Sequence, residues 1–190
     1  MPAFGPPAFD QLTLDTDRLH LRPLRDADAP ALFAMLSDPL VTRYWSSLPW
    51  TSIDQAHAMI ARDRQGMADG DSVRLALERR EDGRFLGMCT LFAISAQCRR
   101  AEIGYALLTD AGRQGYMDEA LRSLLAYGFD VLGLNRVEAD IDPRNVPSAR
   151  TLERLGFTQD GLQRERWIVG DEVSDSALYG LLAREWRRDT

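Results

Sequence analysis

Ala101 to Asn135 reads AEIGYALLTDAGRQGYMDEALRSLLAYGFDVLGLN. The opening residues, Ala101 to Leu108, have the apolar pattern of a strand, and Gly104 inside it predicts a bulge or a close backbone approach. From about Gln114 to Leu132 the chain carries Met117, Ala120, Leu121, Leu124, Leu125, Gly128 and Val131 at helical spacing. Between the two lies Gly112-Arg113-Gln114-Gly115-Tyr116-Met117. A tight turn that opens into a helix aims several backbone N–H groups, and the positive end of the helix dipole, at one spot. That arrangement favours a phosphate. A P-loop would need Lys-Ser/Thr after the second glycine, where Tyr116-Met117 stands. A dinucleotide fingerprint would need GxGxxG at the first strand–helix turn, but the spacing here is GxxG and falls late in the chain.

Working outward, Arg136 to Asp142 alternates without fault, Val137, Ala139 and Ile141 apolar between polar neighbours, as a half-buried strand does. Pro147 to Leu155 reads as a short helix ended by Gly156. Two strands follow, about 157–169 and 173–182, joined by Gly170-Asp171-Glu172. Upstream, 72–78 and 85–94 form strands around a Glu81-Asp82-Gly83 turn. Asp26 to Leu36 predicts a helix with Asp26 as its N-cap, and a second helix runs from Thr51 to about Met67. Arg18 to Arg22 alternates as a strand, with His20 on its polar side. Tyr44, Trp45 and Trp50 sit in or beside a Ser- and Pro-containing loop, as core plugs or as a pocket wall. Residues 1–12 read as a poorly ordered tail and 13–190 as one domain. The order βααβββαβαββ, with neither repeat nor linker, predicts an α/β or α+β domain built on a mixed sheet.

Composition narrows the function classes. Apolar content of 45% and charged content of 27% are those of a globular domain. No apolar run is long enough for a membrane span, and the N-terminus lacks the pattern of a signal peptide, so a cytoplasmic location is expected. Cys89 and Cys98, without CxxC spacing, predict neither zinc nor a disulfide framework. Two histidines far apart, His20 and His57, argue against a histidine metal site or a Ser-His-Asp triad, and no metal is expected. A net charge of −6 argues against nucleic acid as the main partner and suits a cationic substrate such as an amine.

TDRLHLRPLRDADA, LSDPLVTRYW, the run from Arg99 to Phe157 containing LNRVEADIDPRNVPSARTLERLGF, and DSALYGLL together resemble the GNAT N-acetyltransferases, specifically the RimJ/RimL-like branch. The resemblance covers about Asp17 to Trp186. It implies a single GNAT-type domain whose mostly antiparallel sheet contains a splayed pair of strands, flanked by about four helices. In that family the turn pattern is Arg/Gln-x-x-Gly-x-Gly/Ala, and it holds the pyrophosphate of coenzyme A. Here Gly112 and Met117 depart from the first and last positions. The resemblance assigns acetyl-CoA as co-substrate to Gly112, Arg113, Gln114, Gly115, Tyr116 and Met117, with Ala106, Leu107 and Leu108 alongside the pantetheine arm. Arg99, Arg100, Arg144 and Arg150 are candidates for its 3′-phosphate.

The implied reaction is acyl transfer from a thioester to a primary amine, on a small molecule or a protein N-terminus. Many members place a tyrosine four residues before the Gly-Phe pair as proton donor; here that position is Leu152. By resemblance, Asn145 would bond the pantetheine arm and Ser148 would approach the thiol, although both residue types also cap helices. Glu102 and Asp175 are candidate bases, Tyr105 and Tyr127 read as structural, and Tyr44, Trp45 and Trp50 are expected at the acceptor wall. The alternative is a non-catalytic acyl-CoA-binding module. Either a monomer or a homodimer suits a chain of this size, and acceptor and acyl length stay open.

Overall fold

The computed structural model describes residues 9–186. Its strands are β1 (Leu14–Asp15), β2 (Leu19–Pro23), β3 (Val73–Arg79), β4 (Phe85–Ser95), β5 (Arg100–Leu107), β6 (Arg136–Ile141), β7 (Thr158–Val169) and β8 (Glu172–Leu182). The α-helices are α1 (Ala29–Leu36), α2 (Pro39–Thr42), α3 (Asp54–Asp69), α4 (Tyr116–Ala126) and α5 (Val146–Arg154). All eight strands form one sheet in the order β1-β2-β3-β4-β5-β6-β8-β7. Every pairing is antiparallel except β5 with β6. That parallel pair needs a crossover, and α4 supplies it.

The sheet is buried on both faces. On one, Leu121, Leu124 and Leu125 of α4 and Leu152 of α5 pack on Leu75, Leu91, Ile103 and Val137. On the other, Leu32 and Leu36 of α1 and Met59 and Ile60 of α3 pack on Ala76, Met88 and Ala106. The register explains this division, because Ala76, Met88 and Ala106 are cross-strand partners and therefore share one face.

Several expectations need correcting. Asp26 does not cap α1: it opens a 3-10 turn, Asp26–Asp28, that leads into the helix, and the Asp28 carboxylate closes that turn by accepting from Arg25 N–H at 2.7 Å. A five-residue π turn, Tyr127–Val131, follows α4 and slips the helical phase, so Phe129 is buried while Val131 is exposed. Gly104 does not bulge. It stays in register opposite Thr90, and the irregularity falls in β4 between Phe92 and Ser95, where Ala93 takes a positive φ of 49°. Of the expected tail, residues 1–8 lie outside the described range. Phe9 is core, buried against Tyr127 at 6.4 Å with its N–H donating to Met67 O. The two-residue β1 and four-residue α2 are too short to leave a period in the sequence. At the sheet's edge, β7 pairs with β8 in three short runs, broken between Gln159 and Gly161 and between Gln163 and Trp167.

Candidate active site

The pairing of β5 with β6 lasts only from Arg100/Arg136 to Glu102/Glu138. Both strands continue, β5 to Leu107 bonded to β4 and β6 to Ile141 bonded to β8, so they part. The hydrogen-bond parity of β5 follows from Leu108 N–H, which donates to Leu86 O on the β4 side. In an antiparallel pair, alternate residues turn both backbone groups to the partner. Even-numbered residues of β5 therefore face β4 and odd-numbered ones face β6: Ile103 N–H closes the last bridge, to Glu138, while the Ile103 C=O and both backbone groups of Tyr105 and Leu107 turn toward the gap. Arg99 O, which accepts from Asn135 and Arg136 N–H on the β6 side, has the same parity. Of the sequence candidates Ala106, Leu107 and Leu108, only Leu107 thus offers backbone to a ligand in the gap.

A cavity of about 640 Å³ opens at the parting, lined by Glu102, Ile103, Gly104 and Tyr105 of β5, Ala139 to Ile141 of β6, and Asn145 and Ser148 of α5. Tyr44 and Trp45 wall it from the α2–α3 loop. Trp50 does not line it; its N–H donates to Leu36 O and its ring packs on the α1–α3 core. Trp50 is therefore a core plug.

Two chemical groups meet in this cavity. The first is Glu102, whose carboxylate makes no hydrogen bond or ion pair among the described residues. Burial, then the neighbouring carboxylates Glu138 and Asp140, raise its pKa. The second is a hydroxyl pair: Tyr105 Oη lies 2.7 Å from Ser148 Oγ. Burial pushes the Tyr105 phenol up to about 12, so it stays protonated and can donate. Asn145 both lines the cavity and caps α5, its Oδ1 accepting from Ser148 N–H at 3.2 Å, so the two readings of this residue coexist. Asp175 is not in the cavity. Alternation along β8 sends it to the opposite face from Ser174, and its carboxylate instead accepts from Glu165 N–H at 2.8 Å.

The remaining wall is a set of closed ion pairs. Asp140 accepts from Arg166 at 3.0 Å and from the Ser176 hydroxyl, which itself accepts from Trp167 Nε1–H at 3.2 Å. Arg144 bonds Asp142 and Glu172, Glu172 also takes Arg43, and both arginines lie over the Tyr44 ring. These contacts fix the loop carrying Tyr44 against β8. Arg144 is thereby committed to the acceptor side.

The phosphate-type turn lies at the far end of β5. Arg113 and Gly115 adopt positive φ, 62° and 79°, and α4 begins at Tyr116. The N–H groups of Arg113, Gln114 and Gly115 find no protein acceptor among the described residues, and the first helical N–H groups of α4 have none inside the helix. Arg18, which the sequence did not single out, braces the turn from before β2. It donates to Gln114 O at 2.8 Å, bonds Glu119 at 2.6 Å, and lies 4.6 Å from the Tyr116 ring centre. Met117 packs against the α4-side core, as its place in the apolar stripe implied. Among the arginine candidates, Arg99 and Arg100 stand at the opposite end of β5, more than ~20 Å from the turn at strand rise. Arg150 is exposed on α5. A row of unpaired N–H groups leading from an open strand edge fits a diphosphate with an extended amide arm.

Residues 18–158 match the family model described as acetyltransferase (GNAT) domain. The chain belongs to the GNAT acetyltransferase family. An uncharacterized N-acetyltransferase of Bacillus licheniformis is 36% identical over 174 residues, covering 92% of this chain and 98% of that one. The spermidine N(1)-acetyltransferase of Escherichia coli K12 is 26% identical, covering 80% of each chain. The solved structure of a putative ribosomal-protein-serine acetyltransferase from Vibrio cholerae superposes with a TM-score of 0.80 at 25% identity, covering 91% of this chain and 98% of that one. This GNAT chain is an acetyl-CoA-dependent N-acetyltransferase. Two residues at its cavity, Tyr105 and Arg74, escaped the sequence. Sheet register places Arg74 beside Thr90, and a contact between β5 and α5 places Tyr105 beside Ser148.

Proposed function

We propose that the chain acetylates a primary amine that enters the cavity between the parted β5 and β6. The observation that carries this reading is the shared cavity: a carboxylate without a partner, Glu102, and a hydroxyl pair, Tyr105–Ser148, line the same space beside an open strand edge. The acetyl thioester of the co-substrate supplies the acyl group. Its diphosphate is held by the N–H groups of Arg113 to Met117, and its amide arm by the backbone of Ile103, Tyr105 and Leu107 and by Asn145, with exposed Arg150 of α5 a candidate for a further phosphate.

Glu102 takes the proton from the amine, directly or through one water, as the new N–C bond forms. The backbone N–H groups facing the gap are positioned as donors for the charge that develops on the carbonyl oxygen. As the C–S bond breaks, Ser148 gives a proton to the sulfur and takes one from Tyr105, which is reprotonated from solvent as Glu102 releases the amine's proton to it. The low fraction of ionised Tyr105 near neutral pH keeps that proton available. Both a small amine and a protein N-terminus suit a cavity of this size, and the acceptor's amine is common to the two.

The test is thiol release from acetyl-CoA with an amine panel that includes spermidine and a peptide N-terminus, read as kcat/KM against pH. Activity should fall as pH drops through the raised Glu102 pKa, because the base is lost as it protonates. Glu102→Gln should lower kcat/KM by about 10²-fold and abolish that acidic limb. Full activity with an unchanged limb would remove Glu102 from the chemistry.

A further inference from the structure

Arg74 of β3 and Thr90 of β4 are cross-strand partners, and Gly104 of β5 extends the same row. All three line the acceptor cavity. Arg74 Nε lies 3.3 Å from Asp63 Oδ2 of α3, yet both atoms are sealed from solvent and make no hydrogen bond. Arg74 Nη1 meets only sulfur, Met59 Sδ at 3.6 Å and Met88 Sδ at 4.0 Å. No oxygen among the described residues accepts a hydrogen bond from this guanidinium. Beside it Thr90 is 7% exposed, and its hydroxyl is buried without a partner. Buried donors are normally satisfied, and each one left unmade costs roughly 1–3 kcal/mol. Here a guanidinium whose ion-pair partner is Asp63 and a hydroxyl lack hydrogen bonds side by side, on two residues that line the space where the acceptor must sit.

We propose that Arg74 and Thr90 form a carboxylate subsite, so that the acceptor is an amine and an acid in one molecule. This deepens the transferase reading and rests on it. A planar fork of N–H donors matches a carboxylate, and the adjacent hydroxyl supplies a further donor. Gly104 carries no side chain because Thr90 Cγ2 and the Phe92 ring close over it, 3.2 and 3.5 Å from where a Cβ would stand. A singly charged group is favoured over a phosphate dianion, because the unpaired Glu102 and the Asp140 carboxylate face the same cavity. Glu102 lies two residues along β5 from Gly104, and Arg74 lies two strands across from it. Strand rise and spacing then put the Glu102 and Arg74 Cα atoms roughly 12 Å apart. The acid therefore lies several bonds from the amine, as in an ω-amino acid rather than an α-amino acid.

The experiment compares matched acids and amides on the full chain: γ-aminobutyrate and ε-aminocaproate against their primary amides, with an aminoalkyl phosphonate as a third arm. The readout is kcat/KM by thiol release. At least one acid should exceed its amide by about tenfold or more. Arg74→Gln should bring that ratio to near one, the loss in turnover of the acid exceeding any loss in turnover of its amide by about the native ratio. Because Arg74→Gln strands the Asp63 charge, the double variant Asp63→Asn/Arg74→Gln, which removes both charges, is measured as well; it should give the same collapse. A ratio near one in the native protein, or an unchanged ratio in either folded variant, overturns the subsite. A phosphonate preferred over the carboxylate overturns the carboxylate assignment. Acetylation of simple amines without acid preference sinks the subsite alone, whereas failure on every amine, including spermidine and peptide, sinks the transferase reading with it.

Discussion

At the level of single residues, the Tyr105–Ser148 pair carries the sharpest expectation. The two hydroxyls are 2.7 Å apart and both are shielded, so removing one leaves the other without its partner. Tyr105→Phe should cost roughly 1–3 kcal/mol of stability for that reason. If the pair works as a unit in proton delivery, Tyr105→Phe and Ser148→Ala should each lower kcat by about 10²-fold, and the double variant by little more than either. Additive losses, seen as a double-variant kcat near the product of the two single effects, would show that the hydroxyls act separately. Ser148 and Glu102 were legible as candidates because each sits in a run whose pattern resembles a known family. Tyr105 was not, because its partner is 43 residues away and only the parting of β5 from β6 brings them together. Arg74 was hidden differently. In VRLALER it looks like the polar face of a half-buried strand, and nothing local reveals that α3 and the Trp45 loop cover that face.

Among the elements, the turn between β5 and α4 is the piece whose geometry is most constrained. Gly115 holds φ at 79°, and a Cβ there would come within 3.3 Å of Arg18 Nη2. Gly115→Ala should therefore cost about 1–3 kcal/mol locally and raise KM for acetyl-CoA, with kcat nearly unchanged, because it disturbs the N–H cradle and not the reacting groups. A variant with unaltered KM would show that the turn tolerates side chains and that its N–H row is not what holds the co-substrate. Most elements were readable because their periods are long and clean: α4 by its apolar stripe, β6 by strict alternation. The π turn after α4 was not, since it inserts an extra residue into the helical phase without any marker such as proline. The β4 irregularity escaped for a similar reason. Gly104 was the visible candidate, whereas the strain rests on Ala93, a residue with no special conformational preference.

Across the sheet, few charged side chains among the described residues are buried. Arg22 of β2 bonds Asp28 at 2.7 Å and Glu78 of β3 at 2.7 Å, and the Arg22 and Asp28 side chains are only 5% and 7% exposed. Burial works to raise the Asp28 pKa, but the Arg22 hydrogen bonds and the Arg25 N–H outweigh it, so the net shift is downward. A lowered folded-state pKa contributes stability that is present above the ordinary carboxylate value and is lost as pH falls through the folded one. Asp28→Asn should thus destabilise the protein by about 3–5 kcal/mol near neutral pH, read as a lower Tm, with the gap to the native protein closing under acid conditions. A pH-independent gap would mean that the carboxylate's charge is not what matters. All 23 basic residues are arginine, so the chain offers no side-chain amine to its own activity, and intact-mass assays of acceptor acetylation carry no background from lysine self-modification. The outer rim of the sheet has its own logic. β7 is a long edge strand with Leu162, Trp167 and Ile168 exposed, the kind of surface onto which another polypeptide could zip. Its two register breaks prevent this: no stretch of β7 stays straight long enough to template a neighbour, and Asp175 pins the second break by holding Glu165 N–H while Glu165 sits at φ 52°. The carboxylate that looked like a candidate base thereby becomes a guard against fibril-like association, and a solution of the Asp175→Ala protein should scatter more light on concentration or gentle heating than the native one.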